Sequence, residues 1–285
     1  MHSYFWGPLC IDKKAPSEML PKRNVIDLVH MKFLKQLLGV QTQTSNVGVL
    51  LETGRVPLLT YAIKNSIKNW FRIDILNECN TLTKLSFQNI ANNDFEWYKN
   101  IKKILQNTGL GNILMGDTTK PEDEVFKRLV DIFHQNAFGE ISKESSKLRT
   151  YALLKMEAGE EPYLKAVKNI KDRMSMTKFR LSNHQLMIEK GRHSNIKKED
   201  RICPFCSAFE DEKHFLLYCS IYSNLREIML VTAEEKLNQQ LMRHEDETMM
   251  KYLLGNTEIS PTVAKYLRKT MELRNFLIDR PKQLN

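Results

Sequence analysis

Residues 56–76 read VPLLTYAIKNSIKNWFRIDIL. Leu59, Ile63, Ile67, Trp70 and Ile73 recur every three or four positions. That spacing gathers them on one face of an α-helix, whereas one face of a strand would need every second residue. Pro57 suits the first helical turn, where its missing N–H loses no partner. The same period continues outward along the chain. NVIDLVHMKFLKQLLG (24–39) and SNVGVLLETG (45–54) both run to a closing glycine, a residue that accepts the positive φ at which helices end. Ser45 is a capping residue for the second. Segments 94–109, 122–136, 140–157 and 162–182 carry helical spacing too, and Pro121, Pro162 and Pro261 stand just before periodic segments. Strand-like alternation is scarce, apart from a short hairpin expected around RICPFC (201–206). The expected fold class is mostly α, a helical body with a small C-terminal CCHC zinc module.

The ordering expected along the chain is an irregular segment at 1–23 and a helical body at 24–160. A basic helical stretch and linker follows at 161–201, then the zinc module at 202–230 and C-terminal helices at 231–285. The chain has 285 residues, 42% of them hydrophobic and 27% charged. That length and composition suit a globular protein whose core needs no disulfides. No apolar run reaches the ~18 residues that would span a bilayer, and the N-terminus lacks the pattern of a secretory signal. Cys10 and Cys79 are isolated, and the remaining three cysteines have metal-ligand spacing. An intracellular protein of nucleus or cytoplasm is expected, with no membrane partner.

CPFCSAFEDEKHFLLYC (203–219) holds Cys203, Cys206, His214 and Cys219 as C-x2-C-x7-H-x4-C. Two cysteines three apart can clasp one edge of a tetrahedron from a tight turn, which Pro204 stiffens. His214 and Cys219, on a short helical segment and its end, supply the other edge. Three thiolates and an imidazole make a closed set of four, the form of a structural zinc site rather than of a catalytic one that keeps a water. Inert buried cysteines and a redox CxxC are the competing readings. Glu210, Asp211 and Glu212 between the ligand pairs read as a solvated acidic loop. Beyond His214, Tyr218, Ile221, Leu225 and Ile228 recur at helical spacing, so the site is expected to anchor a helix of roughly four turns.

The net charge is +9 and the pI about 9.2, which favours a polyanionic partner. Residues 165–201 carry eleven Lys and Arg against four acids, a local excess of +7. The candidate nucleic-acid contacts are Lys165, Lys168, Lys171, Lys178, Arg180, Lys190, Arg192, Lys197, Lys198 and Arg201. Lys165, Lys168, Lys171 and Lys178 can share one helix side. Such a ridge can track a phosphate backbone, and an ordinary solvated helix face is the alternative. Phe179 reads as core, and His184 and His193 as surface residues, with base stacking the alternative for each. No P-loop, H-E-x-x-H, G-x-S-x-G or paired polymerase aspartates occur, so no enzyme is expected.

The order of these features resembles the region downstream of the polymerase in reverse-transcriptase polyproteins of non-LTR (LINE-like) retrotransposons. The residues that carry the resemblance are KFLKQLLGVQTQTSNVGVLLETGRVPL (32–58), KFRLSNHQLMIEKGRH (178–193), EDEKHFLLYCSIYSNLR (210–226) and VAKYLRKTMELRNFLI (263–278). The resemblance implies that Cys203, Cys206, His214 and Cys219 are zinc ligands. It also implies nucleic-acid binding, with RNA or DNA as partner, in a C-terminal piece without polymerase activity. The rival expectations are a zinc-stapled protein-interaction module, using the C-terminal helices against a protein partner, and a decayed transposon fragment with no activity.

Overall fold

The computed structural model describes residues 25–75, 96–111, 121–143, 146–241 and 245–279, with three isolated positions, 82, 85 and 89. The expected irregular segment 1–23, the helix start at Asp94, and Cys10 and Cys79 lie outside the described residues. The described elements are α1 (Val25–Leu38), α2 (Asn46–Glu52), α3 (Leu58–Ile75), α4 (Glu96–Asn107), α5 (Pro121–Ile141), α6 (Arg149–Leu154), α7 (Tyr163–Ala166), α8 (Ile170–Arg180), α9 (Met187–His193), α10 (Ser223–Leu237), α11 (Asp246–Gly255) and α12 (Ser260–Asp279). Short 3-10 turns cover Lys198–Asp200 and Ser220–Tyr222, and a π turn covers His214–Tyr218. Only two isolated β-bridges occur among the described residues. The fold is mostly α, as the spacing predicts.

Helix ends follow the sequence signals. The Ser45 hydroxyl accepts the Gly48 N–H at 3.3 Å. Gly39, Gly54 and Gly109 all have positive φ, at 66°, 61° and 74°. Each closes its helix with a paired return of N–H groups: Val40 N to Lys35 O, Arg55 N to Leu50 O and Leu110 N to Leu105 O, at 3.0, 2.9 and 2.8 Å. These bonds satisfy carbonyls that the helix itself leaves free.

The described chain divides into two compact units that interleave in sequence. One comprises residues up to Met31 with Val56–Asn136, the other Lys32–Arg55 with everything from Ala137 on. In the first, Leu59, Ile63, Ile67 and Trp70 of α3 pack against Ile101, Ile104 and Leu105 of α4 and Val125 and Leu129 of α5. This is the stripe read from 56–76. Burying each such side chain contributes about 1.5–3 kcal/mol.

In the second unit α12 packs along α8, α10 and α11. The helix expected over 162–182 is two helices. Val167 is extended, and Asn169 restarts the chain as the N-cap of α8, its side chain accepting the Asp172 N–H at 3.1 Å. Lys165 and Lys168 therefore do not share one helix side with Lys171 and Lys178.

Gly54 sits where the two pieces of the second unit meet. Thr53 bridges to Glu160, and Glu161 N donates to Glu52 O at 3.0 Å. A Cβ on Gly54 would lie 2.3 Å from Glu160 N. Gly54→Ala combines that backbone collision with positive φ. It is expected to lower stability by about 3 kcal/mol, read as a shifted urea midpoint.

Candidate metal centre and basic surface

Each pair of ligands has its own backbone reason. The first pair lies in a two-stranded turn. Cys203 N donates to Ala208 O at 2.6 Å, Ser207 N to Cys203 O at 3.0 Å, and Glu210 N to Arg201 O at 2.9 Å. Ser207 takes φ +59° to reverse the chain. This is the expected hairpin, with Ile202 opposite Phe209.

The second pair lies on the π turn. An α-helix would carry residue i+5 about 140° away from residue i. The wider turn, closed by Cys219 N to His214 O at 2.9 Å, keeps both on one side. Asp211 starts it by accepting the His214 N–H at 2.7 Å.

The four side chains converge. One ligand atom from each of Cys203, Cys206, His214 and Cys219 lies within 4.8 Å of every other. Cys203 Sγ is 3.8 Å from Cys219 Sγ, and Cys206 Sγ is 3.3 Å from His214 Nε2. A tetrahedral site with metal–sulfur bonds of about 2.3 Å has S···S edges of about 3.8 Å and S···N edges of about 3.5 Å. The residues present fit one metal ion.

Cys203 and Cys219 are buried, while Cys206 is exposed at the rim. Burial pushes both buried thiols up, Cys219 to about 12. N–H groups of Phe205 and Cys206 at Cys203, and of Ile221 at Cys219, act the other way. Burial lowers His214, and a neutral imidazole is the form that binds a metal.

The acidic insert corrects the expectation of a solvated loop. Glu210 and Glu212 are each 1% exposed. Glu210 accepts from Arg274 of α12 at 3.1 and 2.7 Å and from Met187 N at 2.6 Å. Glu212 accepts from Arg149 of α6 at 2.8 Å and from His184 Nε2 at 3.1 Å. Burial alone would raise the Glu212 carboxyl, but His184 and Arg149 prevail and hold it at about 2. The insert thus pins the metal turn to the helical body. The cysteines share that body's core: Cys203, Phe215, Cys219 and Tyr222 belong to one cluster with Phe179, Met250, Leu253 and Val263.

Tyr218, Ile221 and Ile228 are exposed, whereas α10 buries Met229, Leu230 and Ala233. Of the apolar residues spaced along the sequence there, Leu225 packs against the core and the other three face outward.

The candidate nucleic-acid residues fall into three groups. Lys165, Lys168, Lys171, Lys190, Arg192, Lys197 and Lys198 are exposed, and Lys178 is half-buried. Lys165 is paired with Glu160 at 2.5 Å, and Arg192 with Glu189 at 2.9 Å.

Arg180 is a correction. It is fully buried, donating to Glu52 at 2.8 Å, to Leu254 O at 2.6 Å and to Glu161. These buried partners hold its guanidinium away from any phosphate at the surface.

Arg201 has turned inward. Its Nε and Nη2 donate to Ile196 O at 3.1 and 3.0 Å, and its Nη1 to Ile188 O at 3.0 Å. It also packs over Gly191, where a Cβ would come within 2.8 Å of its Cγ. The guanidinium thereby fixes the 190–198 excursion onto the metal hairpin, a positioning role that the sequence reading missed.

Phe179 is core as expected, and His193 is exposed. His184 is not a surface residue: its side chain is only 2% exposed.

Fold and site define an all-α protein with a Cys3His cluster able to hold one metal ion. Comparison with family models, curated proteins and solved structures finds no match. No helix among the described residues is long and apolar enough to cross a membrane.

Proposed function

We propose that the protein is a non-catalytic nucleic-acid-binding protein in which one structural zinc ion holds a basic surface in shape. The closed thiolate–imidazole set favours zinc over harder cations, which prefer oxygen ligands. The observation that carries the reading is the excursion 190–198, KGRHSNIKK. Lys190, Arg192, Lys197 and Lys198 are all exposed there, and the stretch has no acid within it. Arg201 ties this excursion to the metal hairpin, so the cations are displayed on fixed backbone rather than on a free tail. Phosphate contacts of this kind supply affinity without sequence readout. The resemblance to the zinc-motif region of LINE-like elements points the same way.

The test is a salt titration against RNA, single-stranded DNA and duplex. The variant Lys190→Gln, Arg192→Gln, Lys197→Gln, Lys198→Gln is expected to keep the wild-type melting temperature. Its slope of log K against log salt should be shallower by about 3. An unchanged slope would sink the assignment of these residues. Such a result would favour a protein-interaction surface instead, a reading supported by the exposed Tyr218 and Ile221 flanking Cys219 and the exposed Ile228 and Val231 of α10.

A further inference from the structure

A second feature of the second unit belongs neither to the metal centre nor to the 190–198 excursion. A groove of about 470 Å³ lies between α8, α12 and the turn Gly39–Gln41. That is within the range of small-molecule sites, roughly 300–1,000 Å³. Its lining includes Phe179, Met174 and Met271, together with Lys171 and Lys178, two turns apart on one face of α8. Arg268 and Glu272 also line it, but they pair with each other at 3.0 Å, and Arg268 pairs with Asp172 at 2.5 Å. The unbalanced charge of the groove is therefore that of the two lysines.

His184 lines the same groove. Its Nε2 meets Glu212 Oε1 at 3.1 Å. A carboxylate only accepts, so Nε2 carries the proton, and Nδ1 is left as an acceptor on the neutral ring or a donor on the charged one. Nδ1 is buried and has no partner in the protein. A buried polar atom in that state is costly unless something else reaches it. The ring also lies against Phe179, with centroids 5.5 Å apart. A cationic rim and an apolar lining thus occur together with a lining residue that keeps one unused imidazole nitrogen.

We propose that this groove binds a nucleotide, with phosphate on the Lys171–Lys178 rim, the base or sugar against Met174 and Met271, and a hydroxyl or N–H meeting His184 Nδ1. The ligand is either a free nucleotide or one unit of a strand. The site does not depend on the 190–198 excursion.

The experiment uses the full metal-loaded chain with labelled histidine and follows the imidazole nitrogen signals by NMR. The His184 signal is identified by its loss in His184→Gln. Uridine 5′-monophosphate, an oligouridylate and inorganic phosphate are titrated separately. The expected result is a saturable shift of the His184 signal with the mononucleotide or the oligonucleotide, and none with inorganic phosphate. Lys171→Gln with Lys178→Gln is expected to weaken that binding about tenfold. A shift from the oligonucleotide alone assigns the ligand to a strand; a shift from both assigns it to the nucleotide unit itself. The proposal is overturned by an unmoved His184 signal with both nucleotides, by an equal shift with inorganic phosphate, or by indifference to the two lysines. Repeating the titration in the 190–198 quadruple variant separates the two sites. The shift should persist there, and its loss would place the ligand at the excursion instead of the groove.

Discussion

Cys206→Ser is expected to abolish stoichiometric metal binding and to lower the stability of the second unit by about 4 kcal/mol or more. Cys206 is the informative ligand because its side chain is exposed, unlike Cys203 and Cys219. Replacing either buried cysteine would also disturb the cluster they share with Phe215 and Tyr222, so packing and metal effects would mix. Replacing Cys206 removes a thiolate and little else. The effect is expected to be large because the ligand set is not a separate appendage. Glu210 and Glu212, which follow the hairpin, are held by arginines from α12 and α6. Losing the metal frees the hairpin and π turn, and with them those buried carboxylates. The variant should melt where chelator-treated wild type melts, and chelator should then have no further effect on it. A full zinc equivalent by elemental analysis together with unchanged melting would sink the ligand assignment.

The legible parts of this protein are those written within a few residues of one another. The Ser45 cap of α2 and the closing glycines of α1, α2 and α4 are local, and so is the C-x2-C turn. H-x4-C was legible as a ligand pair, although the π turn that makes five residues close on one side was not. Local sequence is silent where the deciding partner is distant. Glu210 and Glu212 looked solvated because Arg274 and Arg149 lie 64 and 63 residues away. His184 looked like a surface residue for the same reason, its partner being Glu212. The break between α7 and α8 is a different miss. Asn169 with Asp172 is a readable helix start, but the lysine spacing from 165 to 178 suggested a helix running through it. Arg201 gave no local signal at all. Its role appears only when the carbonyls of Ile188 and Ile196 come together in the fold.

Arg180→Ala is expected to cost about 3–5 kcal/mol, the usual effect of removing one partner from a buried ion pair. Arg180 and Glu52 are both fully buried, on α8 and α2, and lie 128 residues apart in sequence. The same guanidinium reaches Glu161 and the Leu254 carbonyl, and it stacks over Tyr163 at 5.0 Å. Its Glu52 and Glu161 partners raise its pKa against the effect of burial, so it stays charged at every pH at which the fold exists. Removing it strands the Glu52 carboxylate without its cation, leaving neutral donors such as Tyr163 Oη, at 2.6 Å. The paired change Arg180→Met with Glu52→Leu removes both charges together and should recover much of the loss, since an apolar pair of similar volume is often no worse than a buried ion pair. Urea denaturation followed by helical circular dichroism measures both. The same variants also test the electrostatic reading of the surface. If Arg180 is structural, the salt slope for nucleic acid in the double variant should equal that of wild type. A slope reduced by about one contact would mean that the guanidinium reaches phosphate after all, and that its burial between α2 and α8 does not describe the protein in solution.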